Sequence, residues 1–325
     1  MAPTQVLNFE SARALSSLYA GDARLLHHLE QECRVTLTTR DGWIKVDGDK
    51  KGIARVERLF QLLDHAAKNG LKIREHEFRY ALRAVLDGKS AELEQLWNYR
   101  VALSGRKPPI TAKTFNQLAY LESIQKNALT FGIGPAGTGK TFLAVAMAVA
   151  ALKSDNVHRI ILTRPAVEAG EALGFLPGDM NEKIFPYLRP LYDALQDLLE
   201  ADEIERYMEK GILEIAPLAY MRGRTLANSF IILDEAQNTT TEQMFMFLTR
   251  LGSNSRCVIT GDPSQVDLPR HRKSGVTEAL QALHDVPGIA INRFGEEDII
   301  RHELVGRIVE AYKRHRGEKQ TSMSL

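Results

Sequence analysis

The segment that most constrains this chain is Gly134-Pro-Ala-Gly-Thr-Gly-Lys140-Thr141, set between the apolar runs Ala128-Leu-Thr-Phe-Gly-Ile133 and Phe142-Leu-Ala-Val-Ala-Met-Ala-Val149. Every fixed position of G-x-x-x-x-G-K-[ST] is filled, and the flanks supply the strand, loop and helix order the pattern needs. Gly134, Gly137 and Gly139, spaced by Pro135, Ala136 and Thr138, let the backbone curl so that consecutive N–H groups point at one phosphate. The helix that follows adds the positive end of its dipole. Lys140 is placed to hold β- and γ-phosphate oxygens, and the Thr141 hydroxyl to ligate Mg²⁺. A plain glycine-rich turn before a helix is the bland reading, and the filled pattern with matching flanks argues against it.

With 325 residues the chain has room for about two domains, and a 44% hydrophobic content is enough for packed cores. No apolar run reaches the roughly 18 residues that suggest a membrane-spanning helix. The start, Met1-Ala-Pro-Thr-Gln, lacks the basic-then-apolar layout of a signal peptide. A cytoplasmic location without membrane attachment is expected. Cys33 and Cys257 lie far apart without metal-ligand spacing, so they read as small buried residues. Lys and Arg number 42 against 41 Asp and Glu, so binding to nucleic acid would need a local basic surface.

Pattern divides the chain into residues 1–70, a small α/β unit; 71–109, a helical connector and basic linker; 110–316, a larger α/β domain; and 317–325, a disordered tail. In the first block a helix from Arg24 to Glu32 precedes alternating Arg34-Val-Thr-Leu-Thr38 and Trp43-Ile-Lys-Val46, and a helix from Ile53 to Leu63 follows. This order resembles a KH-like RNA-binding unit. In such units a G-x-x-G loop clamps the nucleic-acid backbone. Here the matching stretch, Gly21-Asp-Ala-Arg24, lacks the second glycine, and Asp22 repels phosphate. Two readings stay open: a KH-like unit that binds RNA, and a degenerate one kept for packing or oligomer contacts. A helical stretch, Arg74 to Leu96, leads to the linker Ser104-Gly-Arg-Lys-Pro-Pro109. Beyond it apolar strands are expected at Leu129–Ile133, Arg159–Thr163, Ile212–Ala216, Phe230–Asp234, Cys257–Thr260 and Ile289–Phe294, alternating with amphipathic helices. That alternation implies a mostly parallel sheet flanked by helices, with ligands at the carboxyl ends of its strands.

Phe230-Ile-Ile-Leu233 runs into Asp234-Glu235, an apolar strand ending in two carboxylates. Downstream of a phosphate loop, Asp234 is placed to hold Mg²⁺. Glu235 is suited to orient and polarise an attacking water. Alone, Asp-Glu at a strand end is often a solvated turn; the phosphate loop makes the functional reading the better one. The next strand ends in Thr260-Gly-Asp-Pro-Ser-Gln265, where Gln265 is the expected γ-phosphate sensor, with Asp262 as helper. A turn stabilised by Asp262-Pro263 is the alternative.

Together with the phosphate loop, the blocks Thr163-Arg-Pro-Ala-Val-Glu-Ala-Gly-Glu171, Leu173-Gly-Phe-Leu-Pro-Gly-Asp179, Pro217-Leu-Ala-Tyr-Met-Arg-Gly-Arg-Thr225, Asp234-Glu-Ala-Gln-Asn238 and Gly261-Asp-Pro-Ser-Gln265 resemble the PhoH family. The resemblance runs from about Ile110 to the C-terminus, and longer family members carry a KH-like domain before it. The order of blocks is also similar to the first RecA-like domain of superfamily one helicases. The resemblance implies a RecA-like P-loop NTPase fold, ATP rather than GTP, and action on RNA. Gln117, in Thr114-Phe-Asn-Gln-Leu-Ala-Tyr120, matches the glutamine with which such helicases read adenine; a glutamine amide donates and accepts at once. Arg164 follows a strand end where helicase relatives contact phosphates, and Arg222 and Arg224 lie on a loop suited to bidentate phosphate binding. Each has a structural alternative, an ion pair with Glu168, Glu171 or Asp179. Tyr187 is a stacking candidate, though packing is the better reading.

A single RecA-like domain leaves one side of its nucleotide open. ATPases of this build use an arginine from a neighbour, which implies a homo-oligomer, with a hexameric ring as one form. Arg301 is the favoured candidate, with Arg250 and Arg256 as others. The leading expectation is an ATP- and Mg²⁺-dependent hydrolase that couples turnover to RNA binding, remodelling or unwinding. Its rival is a nucleotide-switched adaptor that recruits an RNA-processing endoribonuclease without unwinding. A small-molecule kinase is the third reading; it lacks a recognisable substrate lid and leaves Glu235 without a role.

Overall fold

The computed structural model describes residues 3–103, 107–165, 180–269 and 272–300, with positions 308, 311, 312, 314 and 315. Two units are present: Met1–Arg100 with Thr111–Phe115, and Val101–Ile110 with Asn116–Leu325. The expected tail, 317–325, lies outside the described residues.

In the first unit β1 (Thr4–Asn8), α1 (Ala12–Leu18), α2 (Ala23–Cys33), β2 (Val35–Arg40), β3 (Trp43–Gly48) and α3 (Lys50–Lys68) follow in order. Two more helices complete it, α4 (Glu75–Leu86) and α5 (Ser90–Asn98). The antiparallel sheet has the order β1-β3-β2. Asp41 and Gly42 turn the β2–β3 hairpin with φ of 44° and 87°, which suits the right-handed twist of the strands they join. Ile44 and Val46 on β3 are fully buried, as are Leu25 and Leu29 on α2 and Val56, Leu59 and Leu63 on α3. Apolar residues three and four apart give α2 and α3 the stripe that covers this sheet face. The sequence did not signal β1, whose pairing with β3 runs from Thr4↔Asp47 to Asn8↔Trp43. The helices α4 and α5, expected as a connector, pack on α3 within the first unit.

The Gly21–Arg24 stretch caps α2. The Asp22 carboxylate accepts from the Arg24 backbone N–H at 2.9 Å and faces its guanidinium at 2.6 Å. The Arg24 side chain holds the Asp22 carboxyl down to about 2. Its charge is thus matched within the loop.

The second unit contains α6 (Phe115–Lys126, from its second residue), β4 (Leu129–Ile133), α7 (Lys140–Lys153), β5 (Arg159–Arg164), α8 (Met180–Leu198) and α9 (Ala201–Glu209). It continues with β6 (Leu213–Pro217), β7 (Ser229–Leu233), α10 (Thr241–Leu248), β8 (Arg256–Gly261), α11 (Gly275–Ala282) and β9 (Ile289–Arg293). Its six strands are ordered β6-β5-β7-β8-β4-β9, every pair parallel. All residues of β4 and β7 are buried, as expected of strands covered on both faces. On α7 every residue from Leu143 to Val149 is buried. Phe131, Ile161, Ile231, Leu233 and Ile259 form a core against Met244 and Phe247 of α10 and Val276 and Leu280 of α11. The sheet is the flanked parallel α/β fold that the alternation predicts. Val101 and Ile110, on either side of the expected linker, exchange backbone hydrogen bonds at 2.8 and 3.0 Å. Among the described residues no helix is long and apolar enough to cross a membrane.

Because the strands are parallel, the carboxyl ends of β4, β8, β7 and β5 open on one edge. Ile133 pairs with Gly261, and Thr163 with Leu233. Register alone therefore brings the phosphate loop, the two acids, the Gly261 turn and Arg164 to a common rim.

Candidate functional site

Gly134 to Gly139 joins β4 to α7. Gly134 has φ of 150° and approaches Phe294 so closely that a Cβ there would stand 2.4 Å from the Phe294 carbonyl oxygen. Gly139 caps α7 in the left-handed region with φ of 79°. Both positions demand glycine for backbone reasons. The loop is pinned from several elements. Gly134 N–H donates to Gly261 O at 3.1 Å, Ile300 N–H donates to Gly137 O at 3.0 Å, and the Gln117 amide donates to Thr138 O at 3.0 Å. Tyr120, fully buried on α6, packs against Gly132 and points its hydroxyl at the Lys140 carbonyl, 3.4 Å away. Desolvation pushes the Tyr120 phenol well above its usual range. It remains a neutral donor beneath the loop.

A cavity of about 260 Å³ opens on this loop, lined by Ala136, Gly137, Lys140, Thr141, Asp234, Glu235, Asp262 and Gln265 among others. The Lys140 ammonium donates to the carbonyls of Gly134 and Pro135, 2.7 Å each. It is thus held where a triphosphate would lie. Thr141 and Thr260 both donate their hydroxyls to Oδ1 of Asp234 at 2.7 Å. Asp234 is 5% exposed, and its backbone N–H donates to Thr163 O. A carboxylate beside a threonine hydroxyl is a hard-oxygen set that fits Mg²⁺. Among the described residues no cluster of three His, Cys, Asp or Glu side chains forms a cation site by itself. A cation held by Thr141 and Asp234 would therefore complete its shell with phosphate oxygens and water.

Glu235 stands in the left-handed region with φ of 52°, which turns its side chain out of the β7 direction and into the cavity. Its Oε2 accepts from the Gln237 amide, and its Oε1 faces the Arg164 guanidinium at 3.5 Å. The same Gln237 amide accepts from the Asp262 N–H at 3.0 Å. Asp262 in turn accepts from Ser264 and from the Gln265 amide, at 2.7 Å each. One buried amide thus bridges the candidate water-aligning acid to the turn that carries the candidate sensor.

The structure gathers Lys140, Thr141, Asp234, Glu235 and Gln265 around one cavity. Gln117 is buried beside the loop, its amide donating to Thr138 O. The Arg224 guanidinium forks onto Glu214 of β6 at 2.5 and 2.7 Å, an ion pair with a partner that is not one of the acids expected. Arg222 is exposed, at the end of a single 3₁₀ turn, Leu218–Met221. Arg164 pairs with Glu235 and donates to Tyr187 O at 3.0 Å. Arg250 is tied to the carbonyls of Met246 and Arg224, and Arg256 to that of Ile124. Arg301 lies outside the described residues, as do Glu168, Glu171 and Asp179.

Two functional positions escaped the sequence reading. Gln237 was visible in Asp234-Glu-Ala-Gln-Asn238; the signal was an amide, able to donate and accept at once, two residues from the candidate water-aligning acid. Thr260 gives a weaker signal, a hydroxyl ending the strand next to the acid-bearing one.

Among solved structures, the SWI2/SNF2 ATPase core of Sulfolobus solfataricus in complex with double-stranded DNA aligns with 57% of this chain and 44% of its own, at 15% identity and a TM-score of 0.34. That likeness is too slight to build on. Sequence relatives are much nearer. A PhoH-like protein of Bacillus subtilis is 48% identical over 296 residues, 91% of this chain and 93% of the relative. A PhoH-like protein of Synechocystis is 48% identical over 305 residues, 94% and 92% of the two chains. Protein PhoH of Escherichia coli is 49% identical over 206 residues, 63% of this chain and 58% of that one. The family profile described as PhoH-like protein matches residues 109–313, from before the phosphate loop to beyond β9. With that span and that level of identity, the chain belongs to the PhoH family.

Proposed function

We propose that this protein is an Mg²⁺-dependent ATPase that couples hydrolysis to the binding, remodelling or unwinding of RNA. One observation carries the hydrolytic part: Glu235 is turned into the same cavity as Lys140, beside an Asp234 that Thr141 and Thr260 already orient. Lys140 exchanges its loop carbonyls for phosphate oxygens, and the first N–H groups of α7 add donors along the helix dipole. Thr141 and Asp234 would hold Mg²⁺, which would supply charge neutralisation at the phosphates. Glu235 orients water for in-line attack on the γ-phosphorus and accepts its proton as the bond to the β–γ bridging oxygen breaks. Gln265, tethered to Asp262 at the cavity, bonds the terminal phosphate and registers its loss.

The RNA part rests on the family blocks and on Arg222 and Arg164 near the carboxyl ends of the strands. A neighbouring copy of the chain supplies the arginine that a lone RecA-like domain lacks. Phosphate release by the full chain, with and without single-stranded RNA, tests the reading. Lys140→Ala is expected to abolish nucleotide turnover, and Glu235→Gln to bind ATP and trap it. Hydrolysis by Glu235→Gln at the native rate sinks the water-aligning role. Nucleotide-dependent binding of a nuclease with no strand displacement favours the adaptor.

A further inference from the structure

We propose that Arg164 is a brake on Glu235, released when a single strand of RNA takes the guanidinium. The proposal rests on the ATPase reading above and names how that site is regulated. To align water, Glu235 must present a carboxylate oxygen to the cavity. Both of its oxygens are engaged: Oε2 by the Gln237 amide and Oε1 by the Arg164 guanidinium at 3.5 Å. The Gln237 bond is a fixture, because that amide is buried and its oxygen is held by the Asp262 N–H. The Arg164 contact is the exchangeable one. It is longer than a charge-assisted hydrogen bond of about 2.7–2.9 Å, so it holds the carboxylate by charge alone.

Position supplies the release. Arg164 ends β5, next to the strand that ends in Asp234, and Pro165 stops the strand there. Its side chain is 21% exposed and that of Glu235 37%, so both meet solvent at the rim where a strand would run. A phosphodiester offers a guanidinium two oxygens in one plane, a better partner than one distant carboxylate oxygen. Tyr187 O, 3.0 Å from Nη1, anchors the other side of the guanidinium. When RNA phosphate takes Arg164, Oε1 is freed toward the cavity and hydrolysis follows binding.

Ion pairs of this exposure shift an equilibrium by a factor of about 1.5 to 5. The test is the initial rate of phosphate release by the full chain at saturating ATP and Mg²⁺, with and without a short oligouridylate. Wild type is expected to be slow alone and faster with the oligonucleotide. Arg164→Gln is expected to run about 1.5- to fivefold faster than wild type alone, with unchanged KM for ATP and no further response to oligouridylate. Arg164→Lys keeps the charge but cannot span both partners, so its unstimulated rate falls between the two. Should Arg164→Gln fail to fold, the lysine variant decides. Variants no faster than wild type, or a raised KM with a lowered kcat, overturn the brake. A wild type that hydrolyses ATP at one rate with or without the oligonucleotide overturns it too, and leaves the ATPase reading standing. No phosphate release under any condition overturns both.

Discussion

Thr260 donates its hydroxyl to Oδ1 of Asp234 at 2.7 Å, from the strand beside the one that ends in that carboxylate. Thr141 donates to the same oxygen from the start of α7. The two hydroxyls differ in what a cation does to them. Thr141 would ligate Mg²⁺ through an oxygen lone pair, whereas Thr260 would keep the carboxylate aimed.

Thr260→Val tests this division. The isosteric change leaves the strand packed and removes one donor from a buried acceptor, at a stability cost of about 1 kcal/mol. Orienting groups of this kind govern metal affinity by about 10–100-fold. The Mg²⁺ concentration for half-maximal ATP turnover is expected to rise about tenfold or more, with saturated turnover less affected. A magnesium titration of turnover reads the effect, and an unchanged midpoint would show that Thr141 alone orients Asp234.

Arg222 and Arg224, two residues apart, answer to different forces. The Arg224 fork onto Glu214 ties the loop after β6 back to that strand, and the Glu214 hydrogen bond raises the guanidinium's proton affinity. Arg222 is exposed at the end of the 3₁₀ turn. Arg224→Ala is expected to lower stability by up to about 1 kcal/mol and to leave RNA affinity alone. Arg222→Ala is expected to leave the melting temperature alone and to reduce the salt slope of RNA binding by about 1. Binding titrations across ionic strength, beside thermal melts, distinguish the two; a lost salt dependence in Arg224→Ala would reverse the assignment.

What the sequence made legible follows from how local each signal is. The strands β4, β5, β7 and β8 are read from unbroken apolar runs because both sheet faces are covered. The phosphate loop is read from glycines whose backbone no other residue adopts. β1 stayed hidden because Thr-Gln-Val-Leu-Asn buries no residue fully, and only its pairing with β3 makes it a strand. Helix α8 runs through Pro186 and Pro190, which by local rules end a helix. At the site, Lys140, Thr141, Asp234 and Glu235 were named by position along the chain. The partners of Arg164 and Arg224 were not, because the first depends on strand order and the second on how the chain folds back after β6. Glu235 meets Arg164 only because β5 lies next to β7, and Glu214 meets Arg224 across a single 3₁₀ turn. Gln117 was named by its distance before the loop, and its amide does lie against the loop's backbone, donating to Thr138 O.

Helix α7 is fixed at both ends, at Lys140 by the loop and at Lys153 by Glu203 of α9, 2.5 Å away. Lys153 also lies over the Tyr207 ring, 5.3 Å from its centre. The hydrogen bond from Lys153 holds the Glu203 carboxyl below its ordinary value. A carboxyl depressed in the folded state is protonated first in the unfolded chain as pH falls. The pair's contribution is therefore complete above the ordinary glutamate value of about 4.3 and fades as pH drops through the depressed one. Lys153→Met keeps the apolar stem and removes the charge. Its melting temperature is expected to lie below that of wild type at neutral pH, with the gap narrowing as the solution is acidified below the glutamate range. Melts of both proteins across that window read the gap. A gap of constant size would mean that the Lys153 ammonium acts through the face of the Tyr207 ring and not through Glu203, so that the far end of α7 is anchored without the carboxylate.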